Sequence, residues 1–177
     1  MKIRCLLRRA LTAGLLPCLG VVPVSSTAYA APAQALAQES AIFEGQTIDL
    51  GVGWGAAHAC AVSASGTRCY RTEAQMDLAE SFGGFSTQST CATSTRLYAD
   101  TSYGGAVLAL STRGVYIGLS GYGFDNVTSS YQVGGCAATF YDTAGGTGTY
   151  PGSTGAGALA SSMVSGWDNR ISSIRIS

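Results

Sequence analysis

The chain has 177 residues, 24 of them glycine, with 10 basic and 10 acidic side chains, one histidine and 11% charged residues. Lys2, Arg4, Arg8 and Arg9 precede every acidic residue, so the part beyond residue 30 has no lysine and sets six arginines against ten acids. That net negative charge excludes partners that need clustered basic side chains, nucleic acid and anionic membrane surfaces among them.

Residues 1–30 read as a signal peptide: basic residues, the apolar run LLPCLGVVPV, and Ala28-Tyr29-Ala30 as a small-x-small cleavage site. The run is too short to span a bilayer and is interrupted by Pro17 and Pro23. A secreted, extracellular protein is expected, mature from about residue 31, with a flexible start over 31–40. The remaining length fits one domain, or one domain with an extension.

Residues 41–90 form an N-terminal region of their own character. A strand-like stretch, AIFEGQTIDL, comes first. Four cysteines follow beyond the leader, Cys60, Cys69, Cys91 and Cys136, and an even number in an exported chain points to disulfides, with three possible connectivities. Cys60 and Cys69 flank AVSASGTR, an alternating stretch around a Ser-Gly turn that would set them opposite each other on a hairpin. Pairing them leaves Cys91 for Cys136. A zinc site would need ligand spacings and histidines that the chain lacks. In TEAQMDLAESFGG, Thr72 and Gln75 make a capping box, Met76, Ala79 and Phe82 recur at helical spacing, and Gly83 reads as a stop. So short a helix needs a surface to dock on.

From Tyr98 onward no helix is written. Short alternating runs take over, such as GVYIGLS, with Val115, Ile117 and Leu119 facing one way. A shift of 43 residues lays GFDNVTSS (123–130) on GWDNRISS (166–173), Leu97 on Phe140, Tyr98 on Tyr141, Gly105 on Gly148, and Tyr131 and Val133 on Ile174 and Ile176. Two all-strand units result, about 96–134 and 138–177, within a domain of 91–177. Units that cannot bury an apolar face alone must close on each other, here as a mostly β sandwich.

Tyr98, Tyr103 and Gly105 followed by DNVTSS resemble the Greek-key motif of the βγ-crystallins, and DNRISS resembles their microbial calcium-binding signature of two Asp or Asn, two free positions and two hydroxyls. The resemblance covers about residues 96–177. It implies a Greek-key β-sandwich holding two Ca2+ ions, each clamped between the units. The implied ligands are Asp125, Asn126, Ser129, Asp168, Asn169 and Ser172, with backbone carbonyls at Val127 and Arg170. Calcium accepts six to eight such oxygens in loose geometry. The competing reading is two equivalent turns, because Asp, Asn and Ser also bond their own backbone. One departure is Gly146 where the first unit has Tyr103, in a run, AGGTGTYPGSTGAG, that predicts an irregular hairpin. Residues 41–90 lie outside the crystallin pattern and look like an extension seen in exported actinobacterial proteins of this type.

Catalysis has little to work with. His58 is the lone histidine, no Gly-x-Ser-x-Gly elbow occurs, and the even cysteine count leaves no free thiol, so a non-enzyme is expected. The expected function is a secreted calcium-binding module, monomeric and not inserted in membranes. The alternative is an inhibitor of an extracellular peptidase, since small actinobacterial metalloproteinase inhibitors are built on a similar domain. The loop SASGT or the segment around Cys136 would then present itself to the enzyme.

Overall fold

A computed structural model describes residues 39–82, 91 and 93–177; the expected signal peptide, most of the 31–40 segment and the Gly83 stop lie outside the described residues. AIFEGQTIDL is two strands, not one. Ser40–Phe43 (β1) turns through Glu44 and Gly45, at φ 50° and 81°, into Gln46–Asp49 (β2). Two successive left-handed residues make the tight turn whose twist matches a hairpin. Ala59–Ser63 (β3) and Gly66–Tyr70 (β4) form the second hairpin, with Cys60 directly opposite Cys69 and bonded to it. Cys91 is bonded to Cys136.

The helix Glu73–Phe82 (α1) begins at the expected capping residues: Gln75 N donates to Thr72 Oγ1 at 3.2 Å, and Gln75 Oε1 accepts from Arg71 N at 3.1 Å. Met76 is fully buried, in one cluster with Ala59, Ala61, Val107 and Ala109. Phe82 is 86% exposed, against the helical spacing read from the sequence. The helix is docked through Met76, its one buried large apolar side chain, and through charge, so the apolar stripe does not carry to its last turn. Its Glu73, Asp77 and Glu80 all reach Arg96.

The later strands are Thr95–Asp100 (β5), Gly104–Leu110 (β6), Tyr116–Gly118 (β7), Ser130–Gln132 (β8), Ala138–Tyr141 (β9), Leu159–Ala160 (β10) and Ser173–Ile176 (β11). One sheet runs β10-β8-β5-β6-β3-β4-β1-β2 and the other β7-β11-β9. In the first unit β8 returns beside β5, which pairs with β6, so the fourth strand lies next to the first as in a Greek key. The third strand, β7, crosses to pair with β11, and β10 crosses back to pair with β8. Each unit therefore completes the other's sheet. Val115 lies just before β7 and is half exposed, whereas Ile117 and Leu119 are buried as expected.

Residues 40–70 continue the first sheet, because β3 pairs with β6 in parallel. Along β3 the faces alternate: Cys60 and Val62 enter the core between the sheets, while Ala59 and Ala61 lie under α1. That core also holds Leu97, Leu108, Tyr131, Phe140 and Ile174, and each such fully buried side chain stabilises the fold by about 1.5–3 kcal/mol. Among the described residues no helix is long and apolar enough to cross a membrane.

Candidate metal centre

The two Asp-Asn blocks are turns of the same shape. Asn126 and Asn169 both take the left-handed conformation, at φ 57° and 53°, which asparagine tolerates better than most residues. The turns bind each other reciprocally: Asn126 N donates to Ile171 O at 3.0 Å and Asn169 N donates to Thr128 O at 3.1 Å. Side chains repeat the pattern, with Ser129 Oγ 3.3 Å from Asn169 Oδ1 and Ser172 Oγ 3.5 Å from Asn126 Oδ1. The first serine of each block thus faces the other unit.

The second serine does something else. Ser130 Oγ donates to Asp100 O at 2.6 Å and accepts from Tyr103 N at 3.0 Å, while Ser173 Oγ donates to Thr143 O at 2.6 Å. Each fastens the folded hairpin of its own unit. One hydroxyl of each pair is tied to its own hairpin, and the other faces the asparagine of the opposite block.

Of the remaining expected donors, Asp125, Asn126, Asp168, Asn169 and Arg170 are exposed, Val127 is half-buried, and Ser129 and Ser172 are buried. The Arg170 guanidinium is engaged by Asp142 Oδ2 at 2.8 Å and lies 4.9 Å over the Trp167 ring. That leaves the backbone carbonyl as the oxygen this position can offer. Among the described residues there is no group of three or more His, Cys, Asp and Glu side chains that could hold a metal, so an ion here would rest mostly on hydroxyl, amide and carbonyl oxygens, with at most the carboxylates of Asp125 and Asp168 beside them. Such a hard, carboxylate-poor set suits calcium at low affinity and does not suit transition metals. The serine–asparagine oxygen separations of 3.3 and 3.5 Å also fit. Two ligands each about 2.4 Å from one calcium and at right angles lie about 3.4 Å apart.

Three features were not legible as site features. Thr128 is fully buried and its Oγ1 is, among the described residues, the buried side-chain oxygen without a hydrogen-bond partner. Its counterpart in the second block is the core residue Ile171. Gly146 replaces Tyr103 because a side chain there would run into the Tyr116 ring. Tyr116 packs on Tyr141 at 5.6 Å, as Tyr103 packs on Tyr98 at 5.6 Å, so the second unit takes its aromatic partner from the first unit's third strand. The third is the turn between β2 and β3, which closes on the first block's approach: Trp54 stacks on Phe124 at 5.6 Å and its Nε1 donates to Tyr122 O at 2.8 Å. Burial, and then the Glu39 carboxylate, push the Tyr122 phenol up to about 12.

Two Greek-key units that exchange third strands and oppose their Asp-Asn turns define a crystallin-type β-sandwich. No family model matches the chain, and no curated protein matches it. Among solved structures it is similar to a βγ-crystallin from Ciona intestinalis, at 27% identity over 48% of this chain and 99% of that chain, with a TM-score of 0.39. It is likewise similar to the N-terminal domain of protein S, at 22% identity over 48% and 96% of the two chains (TM-score 0.40). A βγ-crystallin domain from Clostridium beijerinckii matches at 20% identity over 48% and 97% (TM-score 0.36).

Proposed function

We propose that the protein is a secreted calcium-binding module in which two ions join the Greek-key units. The observation that carries this reading is the crossed pairing of Ser129 with Asn169 and of Ser172 with Asn126, at distances adjacent calcium ligands would have. Each ion would be held by oxygens of both blocks, with Asp125 and Asp168 supplying the negative charge and Val127 and Arg170 the carbonyls. Bound calcium would supply electrostatic cross-linking of the two turns. Secretion is supported by the leader-like N-terminus and by two disulfides, which persist in oxidising compartments. The inhibitor reading has no comparable observation behind it. The tip between Cys60 and Cys69 is a two-residue turn closed by Ser63 Oγ on Gly66 O, which leaves little extended chain to offer an enzyme.

Isothermal titration with CaCl2 tests the reading. With two carboxylates available, dissociation constants of roughly 10⁻⁵ to 10⁻³ M are expected. At a hundredfold excess over the dissociation constant, each site adds about 2.7 kcal/mol to stability. Asp168→Ala should weaken both binding steps, because the blocks share their ions. No heat in the unmodified chain would mean that DNVTSS and DNRISS are turns alone, and one untouched site in the variant would mean independent loops.

A further inference from the structure

The geometry points to Trp54, in the turn between β2 and β3, as a positioning residue for the first oxygen-donor block, so that docking of the N-terminal region and occupation of that block are coupled. The part of this concerning calcium rests on the function proposed above.

The contacts form a continuous path. Glu39 N donates to Gly121 O at 3.1 Å and Leu50 N donates to Glu39 O at 3.0 Å, which lays the β2–β3 turn along residues 121–124. Leu50 O comes so close that a Cβ on Gly123 would lie 2.5 Å from it, and Gly123 itself needs φ +65°. The Trp54 ring then covers Phe124, which is 1% exposed and directly precedes Asp125. Trp54 is itself fixed at both ends, by Nε1 on Tyr122 O and by Ala57 N on its own carbonyl at 3.0 Å. Two residues beyond Phe124, Asn126 presents its amide to Ile171 and its side-chain oxygen to Ser172.

The second block is held differently. Gly166, the counterpart of Gly123, has open space around its Cβ position, and Trp167, the counterpart of Phe124, packs on Tyr150 of its own unit at 5.3 Å. Among the described residues, the stretch 39–57 holds the first block and not the second. Rigid support of a ligand-bearing turn lowers the ordering cost of binding, and such coupling between two regions typically changes affinity by five- to 150-fold.

The test compares the purified chain with Trp54→Ala and with Trp54→Phe, which keeps a ring and removes the N–H. Hydrogen exchange followed by NMR without calcium should show the Phe124 amide, bonded to Leu119 O, exchanging on the order of tenfold faster in Trp54→Ala, with its counterpart the Trp167 amide, bonded to Val164 O, much less affected. Trp54→Phe should show the same asymmetry with a smaller shift, which guards against misfolding of the alanine variant. Equal acceleration at both amides, or none, overturns the positioning role. Titration with CaCl2 should then show both steps weakened, together on the order of tenfold, in Trp54→Ala, because each ion takes oxygens from the first block. Asymmetric exchange in a chain that binds no calcium would uphold the positioning role and sink the calcium function. Two unchanged steps with symmetric exchange would do the reverse.

Discussion

The two Greek-key units share a plan and differ in what completes them. Ser130 and Ser173 occupy equivalent places and each fastens its own hairpin. The first unit builds its aromatic pair internally from Tyr98 and Tyr103, whereas the second has Gly146 and borrows Tyr116. The first unit's outer face is covered by α1 and its sheet is extended by β3, while the second unit's sheet has three strands. The serine bond is thus a requirement of the unit, and the aromatic contact is a requirement of the assembled sandwich, which either unit can meet.

The sharpest way to break that comparison is to restore the missing aromatic. Gly146→Tyr would place a ring where Tyr116 already lies, at φ +77°. We expect a loss of about 2–4 kcal/mol by denaturant unfolding, from overpacking together with left-handed strain. Tyr103 holds the equivalent position at φ 61°, so the backbone alone is not prohibitive. Adding Tyr116→Ala should therefore recover much of the loss. Strict additivity of the two changes would show that the rings do not compete for one place.

Next in size is the pair of serines. Ser130→Ala removes partners from both Asp100 O and Tyr103 N, and Ser173→Ala from Thr143 O alone. Leaving a buried polar group unsatisfied costs about 1–3 kcal/mol, so Ser130→Ala should cost roughly 1 kcal/mol more than its counterpart. Equal thermal shifts in the two variants would mean that the Tyr103 amide finds another acceptor.

Much of this was readable in the chain. The offset of 43 residues gave the two units, the Ser-Gly turn gave the Cys60–Cys69 pair, and Thr72 with Gln75 gave the start of α1. What could not be read has physical reasons. The parallel pairing of β3 with β6 leaves no local mark, because alternation along a strand says which face is buried and not which strand lies alongside. The exchanged strands β7 and β10 are three and two residues long, too short for a periodic signal. At the candidate site the residue types were legible, whereas the crossing of each serine to the other block depends on how the turns oppose. Gly146 reads in the sequence as a departure from the repeat, and its cause, the Tyr116 ring, comes from a strand of the other unit that the repeat does not mark.

A smaller effect of opposite sign is expected where the blocks themselves differ, at Thr128 and Ile171. Thr128→Val keeps the volume and removes a buried hydroxyl that has no partner, so it should stabilise the protein by about 1 kcal/mol. Ile171→Thr should destabilise by about 1–3 kcal/mol, since it loses apolar volume and adds the same orphan. A destabilised Thr128→Val would mean that this hydroxyl is satisfied in solution, most simply by a buried water.

The smallest effect probes the helix that only the first unit carries. Glu80 faces Arg96 at 3.3 Å, Ser94 Oγ at 3.5 Å and the nearby Asp77. Burial is the largest influence on its carboxyl and raises it above the usual 4.5, with Arg96 pulling the other way. A carboxyl whose folded value is raised binds its proton more tightly when folded. Its contribution to stability is therefore complete below about 4.5 and is lost as pH rises through the folded value. Glu80→Gln imitates the protonated group at every pH. Urea unfolding at pH 7 should find the variant equal to or more stable than the parent by less than about 1 kcal/mol, given the opposing pull of Arg96. The difference should close as the pH falls toward 4.5. A variant that is clearly less stable at pH 7, with the deficit shrinking in acid, would mean that attraction to Arg96 outweighs burial and that the helix is held to the first unit by that ion pair.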